Sequence, residues 1–369
     1  MSFRPEPTFS HGQPQQVGVL LINLGTPTAA TPAALRPYLS QFLSDPRVVE
    51  IPRLAWWLIL HGIILRTRPA KSAAKYASIW TRDGSPLRVW TDKQAKLLQG
   101  YLGERGHQVL VRHAMRYGEP SVGQQLDALK AAGTARILIM PLYPQYSGAT
   151  TASALDEVFK WGQATRHLPE LRVVNRFHDD PDYIDALARS VTRHWTVEGT
   201  GQKLVMSFHG MPRRTLDLGD PYHCECHKTA RLLAERLGLG PKDYVVTFQS
   251  RFGKAKWLEP YTEPTLRELA KAGVKRVDVI CPGFVTDCIE TLEEIAIEGK
   301  QAFLQAGGQH FHYIPCLNDS SYWMDALSAL TLRHLQGWLT QALTVAEQAA
   351  LKTQQQAQLQ RARALGAKQ

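Results

Sequence analysis

Long apolar runs are missing from this 369-residue chain: no eighteen consecutive apolar residues occur, so no bilayer-spanning helix is expected. The N-terminus, Met1 to Gln16, is polar and Pro-rich and lacks the hydrophobic stretch of a secretory signal. Cysteine is scarce. Five in a chain this long make no disulfide framework, which fits a reducing cytosol. Two stretches lack charge of one sign. No acidic residue lies from Pro52 to Arg82, and no Lys or Arg lies between Arg276 and Lys300. The two halves show no residue-level repeat.

What is present describes a globular protein, with 44% hydrophobic and 21% charged residues and length enough for two ordinary domains. The net charge of +10 suits an acidic partner: nucleic acid, anionic lipid or a small polyanion. Short apolar, β-branched runs recur between helical stretches. Strands are expected at 17–24, 108–115, 136–140 and 171–177, then at 203–208, 243–249, 276–281 and 311–316. Continuous apolar strands alternating with helices imply parallel sheets covered on both faces. Four strands per half predict an α/β protein of two doubly wound domains.

The expected boundaries are 17–165 for the first domain, with an apolar segment at 52–82, and 166–319 for the second. Residues 152–170 are expected to form the joining helix and crossover, and a helix over 320–345 to join the first domain. The stretch 328–350 reads as a closing helix, and 346–369 as a Gln/Ala-rich tail.

Ligands of open α/β sheets bind at the carboxyl ends of strands. Four loops lie there: Asn23-Leu24-Gly25-Thr26-Pro27, the 140–146 segment, Ser207-Phe208-His209-Gly210-Met211-Pro212, and Cys281-Pro282-Gly283. The last leads into Glu290, Glu294 and Glu298, which share one face of an α-helix. Like charges so spaced cost about 0.2–0.5 kcal/mol per pair. The row is either a solvated face or a device for cations or protons. His209, at a strand end, offers an imidazole beside it. His plus carboxylate suits a borderline ion such as Fe2+ or Zn2+.

Leu54 to Leu65 is apolar, contains Trp56 and Trp57, and is fringed by Arg53, Arg66, Arg68, Lys71, Lys75 and Arg82. It fits an anionic membrane surface, the rim of a pocket for a flat ligand bearing carboxylates, or a buried core helix. Arg68, Lys71, Tyr76, Ser85 and Arg116 lie beside it as candidate carboxylate binders. His223-Cys224-Glu225-Cys226-His227 reads as a metal cluster or as a helix start after Asp220-Pro221.

Together these motifs resemble the ferrochelatases, which insert Fe2+ into a porphyrin to make haem. The likeness runs from about Val17 to Leu343. It rests on the loops above, on Gly84-Ser85-Pro86, Gly219-Asp220-Pro221-Tyr222 and Phe248-Gln249-Ser250, and on Ile289-Glu290-Thr291-Leu292. The resemblance implies two Rossmann-like domains around a porphyrin cleft, a chelatase-like fold. The implied activity is a lyase that makes protohaem with release of two protons, the last step of haem synthesis. His209 and Glu290 would form the metal and proton site, and Glu294 and Glu298 a relay on a helix widened into π form. Leu24, Arg68, Lys71, Tyr76, Ser85, Arg116, Tyr143 and Trp257 would contact the porphyrin, whose distortion the cleft would promote.

Leu24 stands where coproporphyrin-type relatives carry Tyr, which favours protoporphyrin IX over coproporphyrin III. Cys288 stands where several relatives carry His, and Phe248 where others carry Trp. Gly148 occupies the cysteine position of animal enzymes that hold a 2Fe-2S cluster, so no cluster or other cofactor is expected. The expected partners are protoporphyrin IX and Fe2+, with peripheral contact at the inner membrane surface, no nucleic acid, and a cytoplasmic monomer. A cobalt chelatase for sirohydrochlorin would want more Arg and His in the cleft. A nucleic-acid binder would concentrate its basic residues on one element.

Overall fold

The computed structural model describes residues 3–8, 11–13, 15–253, 255–338 and 340–368. Its frame is two parallel sheets. The first holds β1 (Gln16–Gly25), β2 (Val109–Tyr117), β3 (Thr134–Pro141) and β4 (Glu170–Val173), in the order β2-β1-β3-β4. The second holds β5 (Lys203–His209), β6 (Tyr244–Gln249), β7 (Arg276–Ile280) and β8 (His310–Tyr313), in the order β6-β5-β7-β8. The shared order makes both sheets doubly wound, with the switch point beside the first strand of each. Val19, Leu20, Leu21 and Ile22 are all fully buried, so β1 is covered on both faces, as its unbroken apolar run requires.

One core joins the halves. It gathers Leu21 and Met140 from the first sheet with Met206 and Phe208 from the second. Trp323, Leu327 and Leu330 of the helix Ser321–His334 lie in the same cluster. Polar contacts add to it. Asn23 Nδ2 donates to Thr91 Oγ1 at 3.0 Å and across to Thr286 Oγ1 at 3.1 Å. Gln94 Nε2 donates to the Asn318 carbonyl at 2.6 Å.

Three expected boundaries need correction. β4 pairs with β3 in parallel, so the first sheet ends at Val173 and a boundary at 165 would sever its last strand. The 152–170 stretch is a crossover inside the first sheet: a π-turn Gly148–Ala152 and the helix Ser153–Gln163 lead from β3 to β4. The expected helices at 320–345 and 328–350 are one helix, Ser321–His334, then a break, then a second, Val345–Ala364. Gly337 at φ +81° turns the chain, and the Thr340 carbonyl accepts from Gln108 N at 2.6 Å beside the start of β2. Thr344 and Glu347 then form a capping box that restarts a helix with no buried residue.

The apolar segment runs through the helix Arg53–Ile59, the π-turn Leu60–Ile64 and the helix Leu65–Ile79. Only Leu60 and Leu65 of its apolar run are buried, against Leu35, Leu39 and Leu43. Leu54, Trp57, Leu58 and Ile63 are 77, 56, 59 and 60% exposed, so this is no core helix. Leu35, Leu39 and Leu43, four residues apart on the helix Pro32–Leu43, form one stripe for it to pack on. Among the described residues no helix is long and apolar enough to cross a membrane.

Candidate active site

Two adjoining cavities open at the carboxyl ends of the strands. The first, about 1050 Å³, is mostly apolar, with Leu142, Tyr143, Met211, Trp257 and Phe284 in its wall. The second, about 1270 Å³, is lined by Arg68, Tyr76, Ser250, Glu293, Glu294 and Glu298. They share Leu24, Phe42, Phe252, His209 and Glu290. The imidazole and the first glutamate therefore sit where an apolar space meets one lined by charges of both signs, Lys75 and Arg251 lying there too.

β5 delivers His209 at its last residue. Nδ1 of His209 lies 2.6 Å from the Gly210 carbonyl. A carbonyl only accepts, so Nδ1 carries the hydrogen and Nε2 keeps a lone pair for a proton or a metal. The His209 carbonyl accepts from Tyr222 Oη at 3.0 Å, which pins the strand end. Gly210 is sterically required: a Cβ there would stand 2.4 Å from the Gln249 carbonyl oxygen. Gly25, after Leu24, is equally constrained, with φ +108° and a virtual Cβ 1.8 Å from the Tyr117 carbonyl oxygen.

The acidic row lies on a π-helix, Glu290–Gly299, whose i→i+5 bonding replaces the α spacing. That spacing explains the pairing. Glu293 and Glu298, five residues apart, share Lys75 Nζ at 2.9 and 2.8 Å. The cation absent from the local sequence comes from another helix, so the charge row is not left unrelieved. Glu294 takes both the N–H and the hydroxyl of Ser250 on its two oxygens. Ser250 holds φ +67°, a left-handed conformation uncommon for a residue other than glycine. The Glu290 carbonyl accepts from Gln249 Nε2 at 2.7 Å.

Burial raises the Glu294 pKa, against the hydrogen bonds of Ser250 and the charge of His209, and Glu290 adds to the rise. Burial likewise raises Glu293 against the pull of Lys75. A carboxylate whose pKa is raised on folding favours the fold at low pH and loses that contribution as pH rises through the folded value. Glu294→Gln, neutral throughout, is therefore expected to gain thermal stability relative to the parent as pH is raised from about 4.5 to 7. A melting-temperature difference that stays flat over this range would refute the perturbed carboxyl.

The remaining candidate residues divide. Leu24, Tyr143 and Trp257 line the first cavity, and the Tyr143 hydroxyl and Trp257 Nε1 are buried with no hydrogen-bond partner. Tyr76 lines the second cavity, its phenol pKa pushed far up by burial and by Glu290. Arg68 lines it too, its guanidinium 5.4 Å from the Phe252 ring centroid. Lys71 is exposed and lines neither cavity. Ser85 also lines neither. It is buried and its Oγ accepts from Thr26 Oγ1 at 2.8 Å, bracing the loop after β1. Arg116 is turned away from both cavities into a buried pair with Asp45 at 2.5 Å.

Cys224 is exposed and Cys226 fully buried on the helix Tyr222–Leu237, so their side chains leave it on different sides. Sequence reading missed Gln249, Ser250, Lys75 and Glu293. Phe248-Gln249-Ser250 was noticed as a motif, but no local signal links it to a helix some forty residues on.

A sequence model of the family described as Ferrochelatase matches residues 16–335. A protein named Ferrochelatase from Methylibium petroleiphilum is 65% identical over 100% of this chain and 99% of its own length. One of the same name from a Polaromonas species is 67% identical over 93% of this chain and 94% of its own. Among solved structures, SirB from Bacillus subtilis with Fe3+ aligns with TM-score 0.53 at 12% identity, over 89% of this chain and all of that one. That likeness carries the fold: two four-stranded parallel sheets in a chelatase arrangement.

Proposed function

The chain belongs to the ferrochelatase family, and from that premise we propose that it inserts Fe2+ into protoporphyrin IX, releasing two protons and forming protohaem. The observation that carries this reading is the junction of the two cavities at His209 and Glu290. A flat apolar macrocycle suits the first space, and departing protons or an arriving cation suit the second. His209, through Nε2, and Glu290 take the pyrrole protons or hold the ion. Glu294 and Glu298 pass charge outward along the π-helix.

Protoporphyrin is favoured over coproporphyrin by the lining of the first cavity. Among the described residues no Lys or Arg lines it, so the two additional carboxylates of coproporphyrin III would meet no cation from them. Anaerobic incubation with Fe2+ and each porphyrin, read by haem absorption, is expected to give a kcat/KM at least about 10-fold higher for protoporphyrin IX, an increment of ~1.4 kcal/mol. A preference for coproporphyrin III would reverse the substrate assignment. Turnover of neither, with cobalt insertion into sirohydrochlorin, would replace it with the other chelatase reading.

The protein is further proposed to meet an anionic membrane face through Leu54, Trp57, Leu58 and Ile63. All four are exposed, and Arg53, Arg66 and Arg68 lie alongside them in the same helical segment. Trp57→Ser with Leu58→Ser is expected to lower co-sedimentation with vesicles rich in anionic lipid by about 10-fold. Equal sedimentation of variant and parent would remove the membrane from the proposal.

A further inference from the structure

Away from the cleft, two histidines and a carboxylate converge in the second sheet. Asp278 of β7 and His312 of β8 are register partners, so the parallel ladder sets their side chains on one face. His194 reaches the same face from the helix Pro181–Glu198. Ligand atoms of the three residues all lie within 4.8 Å of one another.

The Asp278 carboxyl is only 1% exposed. Its Oδ2 accepts from Trp195 Nε1 at 2.8 Å and from Gly201 N at 2.7 Å. Its Oδ1 accepts from Arg276 Nε and Nη2, each at 3.2 Å. Gly201 is what allows the backbone so close, since a Cβ there would come within 2.8 Å of the carboxyl. These contacts orient the acid, and an ion would take the place of the two longer ones, from Arg276 to Oδ1.

They leave the imidazoles unexplained. Nε2 of His194 is buried and has no partner. Its ring stands 5.5 Å from that of His312 in an edge arrangement. Glu198 Oε2 lies 3.7 Å from Nδ1 of His312, where an outer carboxylate would orient a ligating ring. A buried orphan nitrogen is unfavourable unless something answers it.

We propose that His194, Asp278 and His312 form a binding site for a borderline divalent metal ion, of the Zn2+ or Fe2+ type, separate from the reaction centre. Two imidazoles and one carboxylate are the donor set such ions favour, with one or more positions left for water. Tetrahedral ligands about 2.0–2.2 Å from an ion stand roughly 3.4 Å apart, so the three side chains would draw together from their present spacing of up to 4.8 Å. The separation from the reaction centre follows from register. Asp278 pairs with Leu204, and His209 lies five residues further along β5, roughly 16 Å at strand spacing. An ion here would clamp the helix Pro181–Glu198 to β7 and β8.

The test uses the full chain stripped of metal, titrated with Co2+ and with Zn2+. Bound ion is counted after gel filtration, and the visible Co2+ bands are recorded. The parent and His209→Ala are both expected to hold one ion tightly and to melt at higher temperature with Zn2+ than without. His194→Gln with His312→Gln is expected to lose that ion and the Zn2+ stabilisation while keeping the parental rate of metal insertion. Should the double variant misfold, His312→Gln alone, or Glu198→Gln, is expected to weaken Zn2+ binding 10- to 100-fold. An unchanged metal count in the double variant, or unchanged affinity in both singles, overturns the site. So does a parent that binds neither ion below about 1 mM, a level at which binding is worth only ~4.1 kcal/mol.

Discussion

His209→Ala is expected to lose metal insertion by at least about 100-fold while binding protoporphyrin IX almost as tightly as the parent. The reason is the division of labour in the cleft. On the proposed reading, affinity for the macrocycle would come from the apolar wall, where Leu142, Tyr143, Met211 and Trp257 lie. The proposed chemistry would use the Nε2 lone pair, which the Gly210 carbonyl fixes by holding the other nitrogen. Glu290→Gln removes a negative charge at the same junction and keeps its shape, so the same pattern is expected. Porphyrin affinity is read by fluorescence quenching, and insertion by single-turnover haem formation. Full activity in both variants would remove the pair from the mechanism. Equal loss of binding and rate would make it a structural support of the cleft.

The π-helix supplies what this pair needs from behind. With i→i+5 bonding, the Glu290 backbone carbonyl and the Glu294 carboxylate meet Gln249 and Ser250, while the carboxylates of Glu293 and Glu298 turn toward Lys75. An α-helix of the same residues would stack Glu290, Glu294 and Glu298 in one column with no cation between them. The widened helix splits the negative charge into two sets. One shares a single lysine between two carboxylates, and the other holds a carboxyl whose pKa burial raises.

Much of this was readable in the chain, for definable reasons. Strands such as Val17–Leu24 announce themselves because burial on both faces demands an unbroken apolar run, and β1 extends it by a single residue at either end. His209 was found because strand ends are where parallel sheets bind ligands, and Glu290 because a charge row after a strand stands out. Long-range pairing was not readable. Lys75 answers Glu293 across 218 positions, and nothing near either residue records it. The broken closing helix was hidden for a related reason: its interruption serves a contact with the start of β2, which local propensity does not contain. Helix type was also invisible to composition, since the 290–299 residues suit either form. Only the resemblance carried it.

Arg116 shows the other direction of error, and its replacement is expected to act on stability instead of substrate binding. The motif pointed to the cleft wall, but the guanidinium is 9% exposed and held against Asp45, with Ser153 Oγ accepting from Nε at 2.7 Å. Asp45 also accepts from the Tyr117 hydroxyl at 2.8 Å and from Arg47 N at 2.8 Å. Burial pushes the Asp45 pKa up, but Ser153, the Arg47 N–H, Tyr117 and the Arg116 charge outweigh it, and the net value falls below the usual carboxylate range. A depressed carboxylate stabilises the fold above its unfolded pKa and loses that contribution as pH falls through the folded value.

Arg116→Met strands the charge, and breaking a buried pair in this way costs about 3–5 kcal/mol. The loss should be largest at neutral pH. It should narrow on acidification, because an unpaired Asp45 takes up its proton sooner than the parent's. Removing both partners, Asp45→Asn with Arg116→Met, should recover part of the loss, since no uncompensated charge then remains. KM for protoporphyrin IX in Arg116→Met is expected to stay within about twofold of the parent, under ~0.5 kcal/mol. A large rise in KM with stability intact would return Arg116 to the porphyrin wall and show that the pair with Asp45 opens when substrate binds.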